Sequence, residues 1–385
     1  MADVQTGFGP FVSVFLTTQK WTQVDIGLVL SAAGFVSLIG QMPGGALVDA
    51  VRSERLVAGV AVGAICFSAL GYATLPIFPM VLSAAVVHSL ASCVLGPAIV
   101  AISLGLVGHA GIGERLGRNA RFASIGNGLA AAAMGAVGYF SPPAVFIVTV
   151  LLLVPALLAL RNISPAEIDP ERAHGAMPKR RTDKPRTKPG DLMRNRPLMI
   201  FACCLLLFHL ANAAMLPLLG SVVTMRSARW APVLIAACIV VPQLVVAASS
   251  PWIGQRAQIW GRRPLLLIGF AALPIRGILF ASVTSPELLV LVQLLDGVTA
   301  AVFSVMVPLV VADLTRGTGH FNLGQGIVGT FVGIGASFSA TLAGYMTDHL
   351  GSPAAFAGLA AIALIGFAVV WFLMPETREL EEIKP

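Results

Sequence analysis

The chain has 385 residues, of which 57% are hydrophobic and 11% are charged, and its formal net charge is +7. A soluble core of this size cannot bury so much apolar surface, so the composition excludes a soluble globular protein. The positive charge does not predict nucleic-acid binding, because the basic residues fall in short turns and one connecting segment rather than on a folded polar face.

Twelve apolar stretches follow one another along the chain, and all but the first have about the length that a helix needs to cross a bilayer. Their hydrophobicity is continuous rather than alternating, which predicts helices and excludes the strands of a transmembrane barrel. The first six stretches are 3–17, 25–48, 56–75, 78–107, 121–140 and 143–160. The second six are 198–224, 231–253, 264–283, 286–312, 323–347 and 353–374.

A polar segment separates the two sets of spans. It is rich in Pro, carries ten Lys and Arg residues and has no apolar periodicity, so it predicts a tether. The predicted organisation is a six-helix bundle over 1–160, a linker over 161–196, a second bundle over 197–376 and a tail over 377–385.

The distribution of Lys and Arg predicts the orientation, because positive loops stay on the cytoplasmic side of a membrane. If the linker is cytoplasmic, twenty-one loop Lys and Arg residues face the cytoplasm and three face the opposite side. We therefore expect both termini in the cytoplasm, and a multi-pass protein of the bacterial inner membrane.

The two halves of the chain repeat each other. A shift of 209 residues sets "GALVDAVRSERL" against "GQRAQIWGRRPL", and a shift of 211 sets Pro97 against Pro308. A shift of about 207 sets the segment from Gln5 against the segment from Asn212. These matches predict a duplication and two pseudo-symmetric bundles. They also leave the first span about a dozen residues shorter than the seventh, so we expect the first helix to be truncated at its N-terminus.

The two quoted turns carry a recognisable pattern. The first turn keeps Gly45, Leu47, Asp49, Arg52 and Arg55; the second keeps Gly254, Ala257, Gly261, Arg262 and Arg263, with Gln258 in the place of the acid. With the twelve spans, these turns resemble the major facilitator superfamily of secondary transporters, whose corresponding loop reads close to G-x-L-A-D-R-x-G-R-R. The resemblance covers essentially the whole chain and is closest to bacterial drug and metabolite exporters. The Gly-Pro-rich pattern of drug/proton antiporters is absent from span five.

The turns also have a physical interpretation. Glycine permits helices to cross closely, and an acid at the end of one helix binds the N-terminus of a neighbouring helix. We expect Gly45, Asp49 and Arg52, with their counterparts of the second turn, to form a conformational latch between the bundles. The counterparts are Gly254, Gly261, Arg262 and Arg263. The alternative is that these arginines only set the topology.

Ionisable residues inside the membrane are costly, so each is a candidate for function. Spans one, four, seven and ten contain Asp3, His88, His209 and Asp296. The resemblance implies that these four spans line a shared water-filled cavity, which makes the four residues candidates for proton coupling. For the two histidines the alternative is a side chain satisfied by a neighbouring backbone or hydroxyl group.

Arg276 lies deep in span nine, at a depth that permits an ion pair with Asp296 of span ten. Protonation of the acid would break such a pair and give a proton-sensitive link; a permanent structural pair is an equal alternative. Gln5 and Asn212 precede matching prolines and are candidates for hydrogen bonds to substrate in the cavity, with interhelical packing as the alternative.

The sequence predicts a transporter rather than an enzyme, because no nucleophile, acid-base pair or metal ligands cluster in it. The five cysteines lie in apolar runs without metal spacing, so neither metal nor cofactor is expected. We expect a monomer that exports a small organic molecule by proton-coupled antiport, with the lipid bilayer as its surroundings. Proton-coupled uptake of a polar metabolite is the alternative, and a non-transporting sensor or scaffold is a third.

Overall fold

The structure is a computed structural model that describes residues 9–141, 143–176, 188–226, 231–283 and 285–378. Over these residues the regular structure is helical, with short 3-10 turns at Pro165–Glu167 and Pro189–Arg194. The α-helices are α1 (Gly9–Thr18), α2 (Gln23–Ala50), α3 (Glu54–Thr74), α4 (Phe78–Phe140), α5 (Ala144–Leu151), α6 (Leu153–Arg161), α7 (Pro170–Ala173), α8 (Arg196–Asn212), α9 (Met215–Arg226), α10 (Ala231–Trp260), α11 (Arg262–Ser282), α12 (Pro286–Val292), α13 (Leu294–Leu314), α14 (Phe321–Leu350) and α15 (Ser352–Leu373).

Ten helical stretches of the described residues are long and apolar enough to cross a membrane. One of them, Phe78–Gly138, contains two predicted spans, which meet at Gly108, where φ is 65° and the helical geometry is broken. With α1, the ten stretches account for all twelve predicted spans. The prediction of an all-α membrane protein is confirmed.

Three spans consist of two helices each, which the sequence analysis did not predict. The interruptions lie at Leu152, at 213–214 and at Gln293. In the first two cases a proline follows within the next helix, Pro155 in α6 and Pro217 in α9. Proline lacks the N–H that would bond the carbonyl four residues earlier, so the helix is weakened one turn before it.

The helices belong to two compact units. Unit 1 comprises 1–108, 123–186 and 317–327. In it, α3 packs against α5 and α6. The ring of Phe146 lies 5.0 Å from that of Phe15 in an edge-on contact and 5.3 Å from that of Tyr72 in a stacked contact.

Unit 2 comprises 109–122, 187–316 and 328–385. In it, α11 packs against α13 and α15, α10 packs against α13, and α8 packs against α15. Three aromatic rings from α8, α11 and α13 form its centre: Phe208 lies 4.5 Å from Phe303 and 5.4 Å from Phe270.

Each unit contains one close helix approach at a glycine of the repeated turn. A Cβ on Gly45 would collide with the carbonyl group of Asn322 in unit 1, and a Cβ on Gly254 would collide with the carbonyl group of Gly113 in unit 2. The two contacts are related by the repeat, because 254 exceeds 45 by 209 and 322 exceeds 113 by 209. The sequence shift therefore corresponds to equivalent packing in the two units.

The segment predicted as a tether is partly folded against unit 1. It contains α7, and the side chains of Ile168 and Ala173 are buried. The N–H of Asp169 donates to the carbonyl oxygen of Gly105 at 3.2 Å. Because only a few of its side chains are buried, the segment has no apolar periodicity in the sequence. Its composition therefore predicted a tether without regular structure.

Candidate functional site

A polar cluster in unit 2 is centred on Arg276, which lies in α11 two residues after Pro274. One guanidinium nitrogen donates to the carboxylate of Asp296 in α13, and the other donates to the side-chain oxygen of Asn212 at the end of α8. The second nitrogen also lies 3.5 Å from the sulfur of Met215 in α9. The cluster thus joins three of the predicted spans, and it forms where the seventh and tenth spans are interrupted.

The two charges of this cluster differ in exposure. The Arg276 side chain is 4% exposed, whereas that of Asp296 is 31% exposed. A buried guanidinium is stable only if anionic and neutral acceptors replace water, and the two oxygens serve this purpose. The acid is therefore the more exposed partner of the pair. The pair is the contact expected from the depths of the two residues; its role in proton coupling stays a prediction.

The two membrane histidines make local contacts. His209 lies one turn before Asn212 in α8, and its Nδ1 lies 3.0 Å from the carbonyl oxygen of Leu205 in the same helix. His88 lies in unit 1, where its Nε2 is 3.5 Å from the hydroxyl of Ser92 one turn later. These contacts are of the kind that satisfies a histidine locally.

The remaining candidates near the N-terminus, Asp3 and Gln5, lie outside the described residues. Of the other four residues proposed for coupling or for the cavity that the structure describes, two bond to Arg276. These are Asp296 and Asn212.

The acid of the first repeated turn binds the start of a helix. The carboxylate of Asp49 accepts the backbone N–H groups of Asn322, at 3.1 Å, and Leu323, at 2.7 Å. It also accepts the side-chain amide of Asn322 at 2.8 Å. These donors belong to the first turn of α14, whose free N–H groups and helix dipole favour an anion. All of these residues lie in unit 1, and Arg52 is exposed in the turn after α2.

The second repeated turn is built around a buried arginine. Arg262 begins α11 and is 4% exposed. Its guanidinium bonds the carboxylate of Asp313 at 2.8 Å, the carbonyl oxygen of Ala257 at 2.6 Å and the side-chain oxygen of Gln258 at 3.3 Å. An arginine that only set the topology would need none of these contacts, so the turn has a structural function as well.

The start of α11 is capped from the end of the chain. The carboxylate of Glu376 accepts the backbone N–H groups of Arg262, at 2.8 Å, and Arg263, at 3.0 Å. Gly261 precedes the helix with a φ of 90°, and a Cβ there would lie 2.5 Å from a Glu376 oxygen. The Arg263 guanidinium donates to the carbonyl oxygen of Trp371 in α15.

Comparison with known proteins decides the family. The sequence model of the Major Facilitator Superfamily matches residues 3–241 and 201–385. Two Mycobacterium tuberculosis proteins, from strains CDC 1551 / Oshkosh and ATCC 25618 / H37Rv, are each 40% identical over 98% of this chain and 91% of their own length. Both are named as uncharacterized MFS-type transporters. The chain belongs to the Major Facilitator Superfamily.

Solved structures of superfamily members share the fold. The Escherichia coli fucose:proton symporter FucP is 14% identical with a TM-score of 0.70, over 96% of this chain and 95% of that one. The proton:xylose symporter XylE is 14% identical with a TM-score of 0.71, over 98% and 93%. The human organic anion transporter MFSD10 is 16% identical with a TM-score of 0.66, over 96% and 89%.

Several polar residues with specific contacts were not predicted from the sequence of this superfamily member. Glu54, at the start of α3, is 2% exposed and lies 3.0 Å from Nε2 of His174 in the central segment. Asp313 and Glu376 were missed as well, although each is an acid next to the end of an apolar span. A partial signal for Glu54 was its place at the start of α3, which corresponds to that of Arg262 at the start of α11 with a shift of 208 residues.

Proposed function

We propose that this chain is a proton-coupled secondary transporter that exports a small organic molecule across the cytoplasmic membrane by alternating access. The observation that carries the proposal is the contact between Arg276, which is buried, and Asp296, which is partly exposed. We assign proton coupling to Asp296, and we assign substrate contact to Asn212 on the same guanidinium.

The unequal exposure of the pair supports this assignment. When a proton reaches Asp296, the carboxyl group loses its charge and the attraction that holds the Arg276 guanidinium falls. The freed guanidinium nitrogens then need other acceptors, and a polar group of the cargo or a changed arrangement of α8, α11 and α13 supplies them. Protonation of the Asp296 carboxylate thereby changes how strongly the buried Arg276 cation is stabilised. The conformations of the protein then differ in free energy by a new amount, and this change drives the conformational transition.

The names of the fold neighbours are consistent with this proposal but do not carry it. Two are titled proton symporters and one an organic anion transporter, and at 14% to 16% identity the likeness concerns the fold alone. We base proton coupling on the chemistry of the Arg276 cluster. We base export on the resemblance of the sequence to bacterial exporters.

Transport into everted membrane vesicles tests both parts of the proposal. Vesicles that contain the full chain are given an acidic interior, and labelled organic cations, anions and sugars are screened for accumulation. An exporter accumulates its cargo as protons leave. We expect Asp296→Asn to abolish accumulation driven by the gradient and to retain exchange of cargo without a gradient.

The matched control is Asp25→Asn, the same chemical change at an acid whose carboxylate accepts a hydrogen bond from Thr22 near the start of α2. This variant should transport at the wild-type rate. If Asp296→Asn and Asp3→Asn both retain accumulation driven by the gradient, proton coupling at these acids is wrong. Accumulation only in right-side-out vesicles with an acidic exterior would instead establish uptake by symport.

A further inference from the structure

Three successive carbonyl groups of the central segment lie at the start of α14. The carbonyl oxygen of Gly175 accepts the N–H of Gly317 at 2.7 Å, and that of His174 accepts the N–H of Phe321 at 3.2 Å. The carbonyl oxygen of Ala173 lies 3.4 Å from the side-chain amide nitrogen of Asn322. The first N–H groups of a helix have no partner within it: the carbonyl oxygen of His174 accepts that of Phe321, whereas Asp49 accepts those of Asn322 and Leu323.

The same segment packs closely against α4. Gly105 provides the space: a Cβ there would lie 2.7 Å from a methyl group of Ile168 and 3.2 Å from the side chain of Ala173. The Gly105 carbonyl also accepts the N–H of Asp169. Ile168 is 6% exposed and Ala173 is fully buried, so the segment is packed rather than merely adjacent.

A close contact between two side chains lies at the end of the segment. Nε2 of His174 lies 3.0 Å from a carboxylate oxygen of Glu54, which is 2% exposed. A carboxylate removed from water in this way is stabilised by a polar group beside it. The side chain of His174 therefore contacts α3, while its backbone oxygen accepts a hydrogen bond from the start of α14.

The equivalent region of unit 2 is built in the same manner. The Arg55 guanidinium donates to the carbonyl oxygen of Ile163, and the Arg263 guanidinium donates to that of Trp371. The two contacts are related by the repeat, because 263 exceeds 55 by 208 and 371 exceeds 163 by 208. In each unit, an arginine at the start of one span thus bonds a carbonyl group at or just after the end of another, α3 and α6 in unit 1 and α11 and α15 in unit 2.

We propose that residues 168–175 are a positioning segment that sets the first turn of α14 against Asp49, and that His174 is its positioning residue. The segment orders the donors of Gly317, Phe321 and Asn322, and Asp49 receives a helix start that is already in place. The consequence for transport rests on the proposed function: α14 leaves Asp49 only after this segment has released it.

Hydrogen exchange measured by mass spectrometry on the full chain in lipid nanodiscs tests the proposal without cargo or a proton gradient. We compare His174→Ala, which removes the contact with Glu54, and Gly105→Leu, whose side chain displaces Ile168 and Ala173 from the surface of α4. In both variants the backbone amide protons of 317–323 should exchange at least about tenfold faster than in the wild type. The reason is that the hydrogen bonds that protect these amides would open more often by local unfolding. Exchange over Glu54–Thr74 should stay unchanged.

Two further variants separate positioning from general stability. His174→Gln keeps an N–H donor for Glu54 and should restore the wild-type exchange of 317–323. Arg172→Ala removes an exposed ion pair with Asp169 in the same segment and should change nothing. The proposal is overturned if His174→Ala and Gly105→Leu both leave 317–323 within about twofold of wild type, or if the faster exchange spreads over α3. Since no transport is measured, this outcome is independent of the proposed function.

Discussion

Arg276 illustrates how a single buried cation depends on its surroundings. Its guanidinium is bonded by oxygens of Asp296 and Asn212, and its Cζ lies 6.0 Å from the centre of the Phe280 ring, at the outer limit of a cation–π contact. Of these neighbours, one carries a negative charge. The stability of the buried charge therefore rests mainly on that carboxylate, and the consequence is measurable apart from transport.

We expect Asp296→Asn to lower the free energy of unfolding of the protein by about 3 kcal/mol, near the lower end for a broken buried pair because the acid is partly exposed. The reason is that Asn leaves the positive charge of Arg276 buried without an anion. Thermal unfolding in detergent measures the change as a fall in Tm.

The double variant Arg276→Met with Asp296→Asn removes both charges and should recover most of the lost stability. Asp25→Asn, at a half-buried acid that pairs with no cation in the described structure, is the control and should leave Tm within the error of the measurement. A single variant Asp296→Asn as stable as wild type would show that the carboxylate does not hold Arg276, and would also remove the basis of the coupling mechanism.

At the level of elements, the glycines of the repeated turns set the distance between helices. Gly45 of α2 lies against the backbone of α14, and Gly34 of the same helix has no atom within 4 Å of an added Cβ. The two positions differ in their surroundings and share their residue type and helix. They therefore provide a matched pair for testing close packing.

We expect Gly45→Ala to destabilise the protein, because the added methyl group displaces the carbonyl group of Asn322 and the helix start that Asp49 caps. Gly34→Ala should be neutral or stabilise by up to about 1 kcal/mol, since Ala is the better helix former. Unfolding followed by circular dichroism in detergent compares them. Equal Tm values for the two variants would contradict the requirement for glycine at 45.

The sequence predicted those features of the elements that are repeated or long. Twelve spans follow from hydrophobicity, and the equivalence of Gly45 and Gly254 follows from the shift of 209 residues. Contacts that depend on a few side chains were not predictable. The packing of Ile168 against Gly105 and the contact of His174 with Glu54 join residues far apart in the chain. No periodic pattern in the sequence indicates either contact.

In the candidate site, too, some features are visible in the sequence pattern and others depend on single contacts. Arg276 and Asp296 stand out because charges are rare in membrane spans, so their depths alone indicated a pair. The bond from Arg276 to Asn212 depends on the interruption between α8 and α9, which the hydrophobicity of the span conceals. Asp3 and Gln5 lie outside the described residues, so their roles stay predictions.

At the scale of the whole molecule, the unequal distribution of charge predicts which loops face the cytoplasm. Twenty-one loop Lys and Arg residues fall on one predicted side and three on the other. Moving many positive charges across the membrane during insertion is unfavourable, so we expect the side with twenty-one to stay inside. This orientation places Gln19, between α1 and α2, outside the cell, and places Arg52 and Arg172 in the cytoplasm.

Labelling of single cysteines tests this orientation in intact cells. All three positions are exposed, and the five native cysteines are first replaced so that each variant carries one reactive thiol. We expect a membrane-impermeant maleimide to label Gln19→Cys in intact cells, and to label Arg52→Cys and Arg172→Cys only after permeabilisation. The reverse pattern would place the basic loops outside. The Asp49 cap and the positioning segment would then act on the external face.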